Sequence, residues 1–195
     1  MNGPTPAWAY ERPEVHPHDP RWAVRARVES ERLTELLGPW LVDGVEHIGS
    51  TAVAGLAAKP IIDLMASVGD LNLVVDQASE LLAADGWCLI PPELDCRPWR
   101  RFFVKPDASK RRRKAHLHLV RAGDPQWAEM VRFRDALRRD GQLAQRYVEL
   151  KRRLAQQHGD DREAYTAGKT EFVENVLRRL SIPELDDRQG SRLRF

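Results

Sequence analysis

The residues best placed to do chemistry lie between His47 and Met65, in HIGSTAVAGLAAKPIIDLM. Gly49 follows the apolar-rich run from Trp40 to Ile48, and a glycine at a strand end permits a tight turn and a close approach of ligand to backbone. Ser50 and Thr51 then stand where a helix would begin, where free N–H groups favour a bound phosphate or carboxylate. Asp63 falls fourteen positions after Gly49, inside the apolar run from Pro60 to Val68. A carboxylate on a largely buried strand needs a partner or a metal. The pattern therefore predicts a phosphate cradle followed by a catalytic or metal-binding carboxylate.

A nucleotidyl-transfer site has to hold a triphosphate and set divalent ions against it, and magnesium takes one or two protein carboxylates beside phosphate oxygens. Residues two apart on a strand share a face. The second carboxylate belongs at position 65, where this chain has Met65. In His116-Leu117-His118-Leu119 the two histidines share one face, so a strand near Asp63 would create an Asp63, His116, His118 set. Imidazole suits zinc or manganese better than magnesium. The expected cofactor is accordingly a divalent cation, Mg, Mn or Zn. His47 and Glu46 are further candidates beside Gly49, on opposite faces of their strand.

Between Arg97 and Lys114 nine lysines and arginines accompany a single acid, Asp107, a field that a polyanion would feel. Arg101 and Lys105 flank the strand expected to approach the active face, so they join Lys59 as phosphate-binding candidates. Trp99, Phe102 and Phe103 fit core strands and also base stacking, which opens a weaker RNA-contacting reading for the loop 105–115. Tyr147 with Lys151 and Tyr165 with Lys169 are neighbours one helical turn apart, assigned to helix packing, with Lys169 placed to face a cleft. No glycine-rich dinucleotide loop accompanies them.

The elements that must position these groups are legible from periodicity. Residues 1–18 are proline-rich and without a period, which predicts a flexible arm. Apolar positions at helical spacing predict helices over 21–37 and 71–84, the second capped by Asp70. Short strands follow at 87–90, 101–104 and 116–121, the last two joined as a hairpin through the basic loop. Helical patterns at 125–138, 141–157 and 161–180 predict a helical extension over 124–181 packed on an α/β core of 19–123, and 182–195 reads as a loose tail.

The 195 residues suit one domain with a helical extension, and 42% hydrophobic residues can supply its core. With no apolar stretch of about 18 residues and no apolar signal-peptide centre, a cytoplasmic protein with no membrane contact is expected. Cys88 and Cys96 have no metal-type spacing and are expected to be reduced. A formal charge of +2 says little about partners.

Taken in order, HDPRW (18–22), VEHIGSTAVAGLAAKPIIDLM (45–65), RRFFVK (100–105), HLHLV (116–120), FRDALR (133–138), YVELK (147–151) and YTAGKTEFV (165–173) resemble the GrpB family over residues 18–180. That resemblance implies an α+β, nucleotidyltransferase-like mixed sheet flanked by helices, with the superfamily's glycine-serine turn at Gly49 and Ser50 and its first metal carboxylate at Asp63. The second carboxylate has no counterpart. The resemblance also implies a dephospho-CoA kinase-type partner, since family members occur fused to that enzyme.

Two functions follow as expectations. One is transfer of a nucleotidyl group from a triphosphate to a small acceptor, with Gly49, Ser50 and Lys59 on the phosphates, Asp63 on the ion helped by His116 or His118, and Arg101 neutralising the leaving pyrophosphate. The other is a non-catalytic module that binds a nucleotide or phosphorylated small molecule, which Met65 favours.

Overall fold

The computed structural model describes residues 6–11, 14–158 and 161–181. A five-stranded mixed sheet forms its centre. In chain order the elements are α1 (Arg21–Leu37), β1 (Leu41–Ile48), β2 (Ile62–Val68), α2 (Leu71–Ala84), β3 (Cys88–Ile90), a short α3 (Pro92–Asp95), β4 (Arg100–Pro106), β5 (Arg113–Arg121), α4 (Pro125–Arg139), α5 (Gly141–Gln157), α6 (Arg162–Ala167) and α7 (Thr170–Ser181). The strands lie in the order β1-β2-β5-β4-β3. Only β2 and β5 run parallel; the other neighbours pair antiparallel, including the β4–β5 hairpin. This is the α+β mixed sheet expected from the sequence.

Strand alternation divides the residues between two faces. Leu64 and Ala66 of β2, Leu117 and Leu119 of β5 and Phe103 of β4 are buried with Trp22, Leu33 and Leu37 of α1 and Val74, Ala78 and Leu82 of α2. The centre of that face is hydrocarbon. On the opposite face Ile48, Met65 and Val120 meet Trp127 and Met130 of α4, while Asp63, His116, His118 and Phe102 line a cleft. The side chain of Tyr147 and that of Val148 on α5 pack with Leu137, Val53, Leu56 and Ala57, which seats α5 against the segment joining β1 to β2.

Several boundaries differ from expectation for local reasons. The segment after Gly49 forms only a three-residue 3-10 turn, Ser50–Ala52, so it has no macrodipole to offer an anion. The expected helix over 161–180 is divided at Gly168 into α6 and α7. Part of the expected flexible arm is packed: Ala7–Tyr10 form a 3-10 turn whose Trp8 is buried against Phe102 and Val104, and His16 bridges to Ala58. The expected tail, 182–195, lies outside the described residues. Asp70 caps α2 as expected, its Oδ1 accepting from the N–H groups of Asn72 and Leu73. Among the described residues no helix is long and apolar enough to cross a membrane.

Candidate functional site

The turn after β1 and the carboxylate on β2 meet because the two strands pair with Ile48 opposite Asp63. Gly49 has φ 70°, and a Cβ built on it would fall 2.6 Å from Asp63 Oδ2. Only glycine can bring the bend this close to the carboxylate. On the other side of β2, the parallel register sets Asp63 against His116 and Met65 against His118. His116 Nδ1 donates to Asp63 Oδ1 at 2.8 Å, and His118 Nε2 stands 3.9 Å from the same oxygen. One candidate ligand atom from each of the three residues lies within 4.8 Å of the others.

Burial acts against the Asp63 charge, but the hydrogen bond of His116 and the nearness of His118 outweigh it and hold the carboxyl well below the usual range. Burial drives the His118 imidazole down to about 4 against the pull of Asp63, with Arg100 adding to the descent. The His118 ring stacks on Trp99 and tilts against Phe102.

Across the cleft, α5 delivers Lys151. Its side chain is on the apolar stripe formed by Tyr147, Val148 and Leu154, and it is only 3% exposed. Lys151 Nζ donates to the Ala57 carbonyl at 2.6 Å and to Ser50 Oγ at 3.0 Å. Among the described residues no carboxylate lies within ion-pair distance of it. Burial, aided by the charges of Lys169 and Arg152, brings its ammonium down to about 7. Lys59 and Lys169 both approach the ring of Tyr165, at 4.0 and 4.6 Å from its centroid.

These groups line one cleft of about 770 Å³. Its walls carry six cations, Lys59, Arg97, Arg100, Arg113, Lys151 and Lys169, against three carboxylates, Asp63, Asp95 and Glu163. Ser50, Thr51, Lys59, Asp63, His116 and His118 all line this cleft. Thr51 serves the backbone: its hydroxyl donates to the Ile61 carbonyl at 3.2 Å and meets His47 Nε2 at 3.0 Å. Glu46 is taken by Arg134, at 2.5 Å.

Arg101 and Lys105 are not in the cleft. Alternation along β4 turns them to the helix-covered face with Phe103, where Arg101 donates to Asn72 at 2.8 Å and Lys105 joins Glu29 and Asp85 at 2.8 and 2.9 Å. The residue that enters the site is Arg100, one position earlier. Its guanidinium makes two hydrogen bonds to Asp95, at 2.8 and 2.5 Å, and its Nη1 lies 2.6 Å from His118 Nδ1. Of the two roles open to Phe103, core strand or base stacking, the structure gives it the first: it is 1% exposed in the core beneath α1 and α2.

The donor set does not fit the two-carboxylate magnesium site expected from the resemblance. Met65, where the second acid would stand, is fully buried and packed with Ile48 and Val120. What remains is one carboxylate and two imidazoles, a composition closer to zinc or manganese sites.

Comparison with known proteins agrees with this architecture. The family model described as "GrpB protein" matches residues 12–179. The UPF0157 protein YqkA of Bacillus subtilis is 34% identical over 163 residues, covering 84% of this chain and 46% of that protein, so the chain spans about half the length of this relative. The crystal structure of conserved protein GrpB from Enterococcus faecalis superposes with a TM-score of 0.74 at 29% identity, covering 85% of this chain and 96% of that one. Cid1 poly(U) polymerase, in a structure with Mg and 3'-dATP bound, superposes at a TM-score of 0.54 and 13% identity, covering 79% of this chain and 49% of that one; this likeness is one of fold.

Proposed function

The chain belongs to the GrpB family, and from that premise we propose that its cleft binds a nucleotide or another phosphorylated small molecule, with a phosphate seated beside Ser50 and Lys151 and accepting from both. A shared fold does not assign an activity, so the proposal rests on the site. The observation that carries it is Lys151: a buried ammonium whose polar and ring partners among the described residues are a hydroxyl, a carbonyl and an aromatic ring. Placing an unpaired charge in such a position costs free energy that a bound anion returns. Lys59 and Lys169 stand beside it to meet further phosphate oxygens, and each additional bond to a charged group adds to affinity.

Asp63 stands next to the Ser50 bend as an ionised carboxylate held by His116. It is the group that would orient an attacking hydroxyl by accepting its hydrogen bond, or meet a divalent ion carried in on the ligand's own phosphates. Hydrocarbon at Met65 supports binding over magnesium-dependent transfer.

Calorimetric titration of nucleoside triphosphates and of inorganic triphosphate, with and without magnesium, manganese or zinc, tests the proposal. Binding at micromolar to submillimolar Kd that is weakened in Ser50→Ala and, roughly 10- to 100-fold, in Lys151→Met is the expected result. If every phosphorylated compound fails to bind, or binds those variants unchanged, the proposal is wrong.

A further inference from the structure

The contact between Arg100 and His118 carries a consequence for the chemistry of the whole cluster. A guanidinium has only donors to offer. With Arg100 Nη1 2.6 Å from His118 Nδ1, that ring nitrogen is the acceptor and the ring's proton is on Nε2. Nε2 in turn faces Asp63 Oδ1. His116 presents its Nδ1–H to the same oxygen, because an ionised carboxylate can only accept. Both imidazoles therefore aim a proton at Asp63.

A metal centre requires the reverse. A histidine that ligates through one nitrogen donates its other N–H to a carboxylate, a carbonyl or water, and that outer partner sets the tautomer. Here the outer partner of His118 is itself a donor. Nor is Arg100 loosely held: Asp95 fixes it by two hydrogen bonds, its guanidinium carbon lies 4.1 Å from the Phe102 ring centroid, and it is 8% exposed. Asp95 is 7% exposed and takes its own place at the end of the short α3.

We propose that Arg100, clamped by Asp95, is a positioning residue that keeps the proton of His118 on Nε2, so that Asp63, His116 and His118 work as a proton-bearing unit and do not form a resident divalent-metal centre. Grouping by distance alone suggests a metal site; the direction of the hydrogen bonds assigns the opposite role. Removing the Arg100 donor and supplying an acceptor in its place should convert the cluster into a metal site. Glutamine does this, since its amide oxygen can accept an Nδ1–H from His118.

Two measurements decide it, and neither uses a nucleotide, so the outcome is independent of the ligand proposed for the cleft. The first is nitrogen-15 NMR of the imidazoles in the wild-type chain. His118 should show the neutral tautomer protonated at Nε2; an Nδ1-protonated ring overturns the proposal. The second is zinc titration of the chelator-treated full chain, by calorimetry, with Asp63→Asn subtracting other sites. Arg100→Gln should bind zinc roughly 10- to 100-fold more tightly than wild type, with the gain abolished by adding Asp63→Asn. Because Arg100→Gln leaves Asp95 without its partner, Arg100→Gln with Asp95→Asn serves as the second variant, both checked by circular dichroism. A wild-type chain that takes up one equivalent of zinc and loses it in Asp63→Asn contradicts the proposal, as does an unchanged affinity in the folded glutamine variants.

Discussion

Gly49 and Asp63 occupy each other's space: an added Cβ on the glycine would lie 2.6 Å from Oδ2 of the aspartate. The serine-bearing bend and the carboxylate are therefore a single unit, brought together by the antiparallel pairing of β1 with β2. Gly49→Ala must either twist the bend from its φ of 70° or push Asp63 away from His116. We expect a loss of at least about 1 kcal/mol in stability, measured by urea unfolding, together with weakened binding of triphosphates. An alanine variant as stable as wild type would show that the bend is not under this constraint.

Lys151→Met keeps the length and apolar stem of the side chain while removing its charge. Triphosphate affinity should fall roughly 10- to 100-fold, the equivalent of the ~1.5–3 kcal/mol of a hydrogen bond to a charged group. Stability should not fall with it, because a thioether suits the stripe of Tyr147, Val148 and Leu154. Thermal melting without ligand and calorimetry with ligand separate the two effects.

The pH dependence follows from the same lysine. Its ammonium is brought from 10.5 to about 7 by burial first and by Lys169 and Arg152 second. Between those limits the unfolded chain holds more protons than the folded one, so this group makes stability rise with pH from about 7 to 10.5. A bound phosphate favours the charged form, so ligand binding at pH 8 should take up a proton and affinity should decline as pH climbs above about 7. Calorimetry in buffers of different ionisation enthalpy reads this directly. Proton release on binding, or an uptake that persists in Lys151→Met, would refute the assignment.

Lys105→Ala tests the face on which that lysine sits. It should lose about 2 kcal/mol in unfolding experiments, because Glu29 and Asp85 lose a shared cation. Triphosphate binding should be unchanged. An unchanged stability with lost binding would return Lys105 to the site.

Much of the fold is written in local periodicity. The apolar stripes of α1 and α2 and the hairpin of β4 and β5 follow from spacing alone, and the glycine, serine and aspartate of the bend are legible because turn and strand signals surround them. The phase of β4 is not. In RRFFVK two arginines and two phenylalanines stand side by side, so alternation does not say whether Arg100 with Phe102 or Arg101 with Phe103 faces the cleft. The distinction depends on the pairing of Phe102 with His118 across the hairpin. Lys151 left a clearer trace: on α5 it occupies a core position, between Tyr147, Val148 and Leu154, where a solvated lysine does not belong. Its partners, Ser50 and the Ala57 carbonyl, are more than ninety residues away and depend on how α5 docks.

The most direct measurement of the central claim is a crystal structure of the chain with a non-hydrolysable nucleoside triphosphate. The account predicts phosphate density within hydrogen-bond reach of Lys151 Nζ and Ser50 Oγ, on the same side of the sheet as Asp63. Phosphates found instead against Arg111 and Arg112 at the loop tip, or a cleft that stays without nucleotide at saturating concentration, would contradict it.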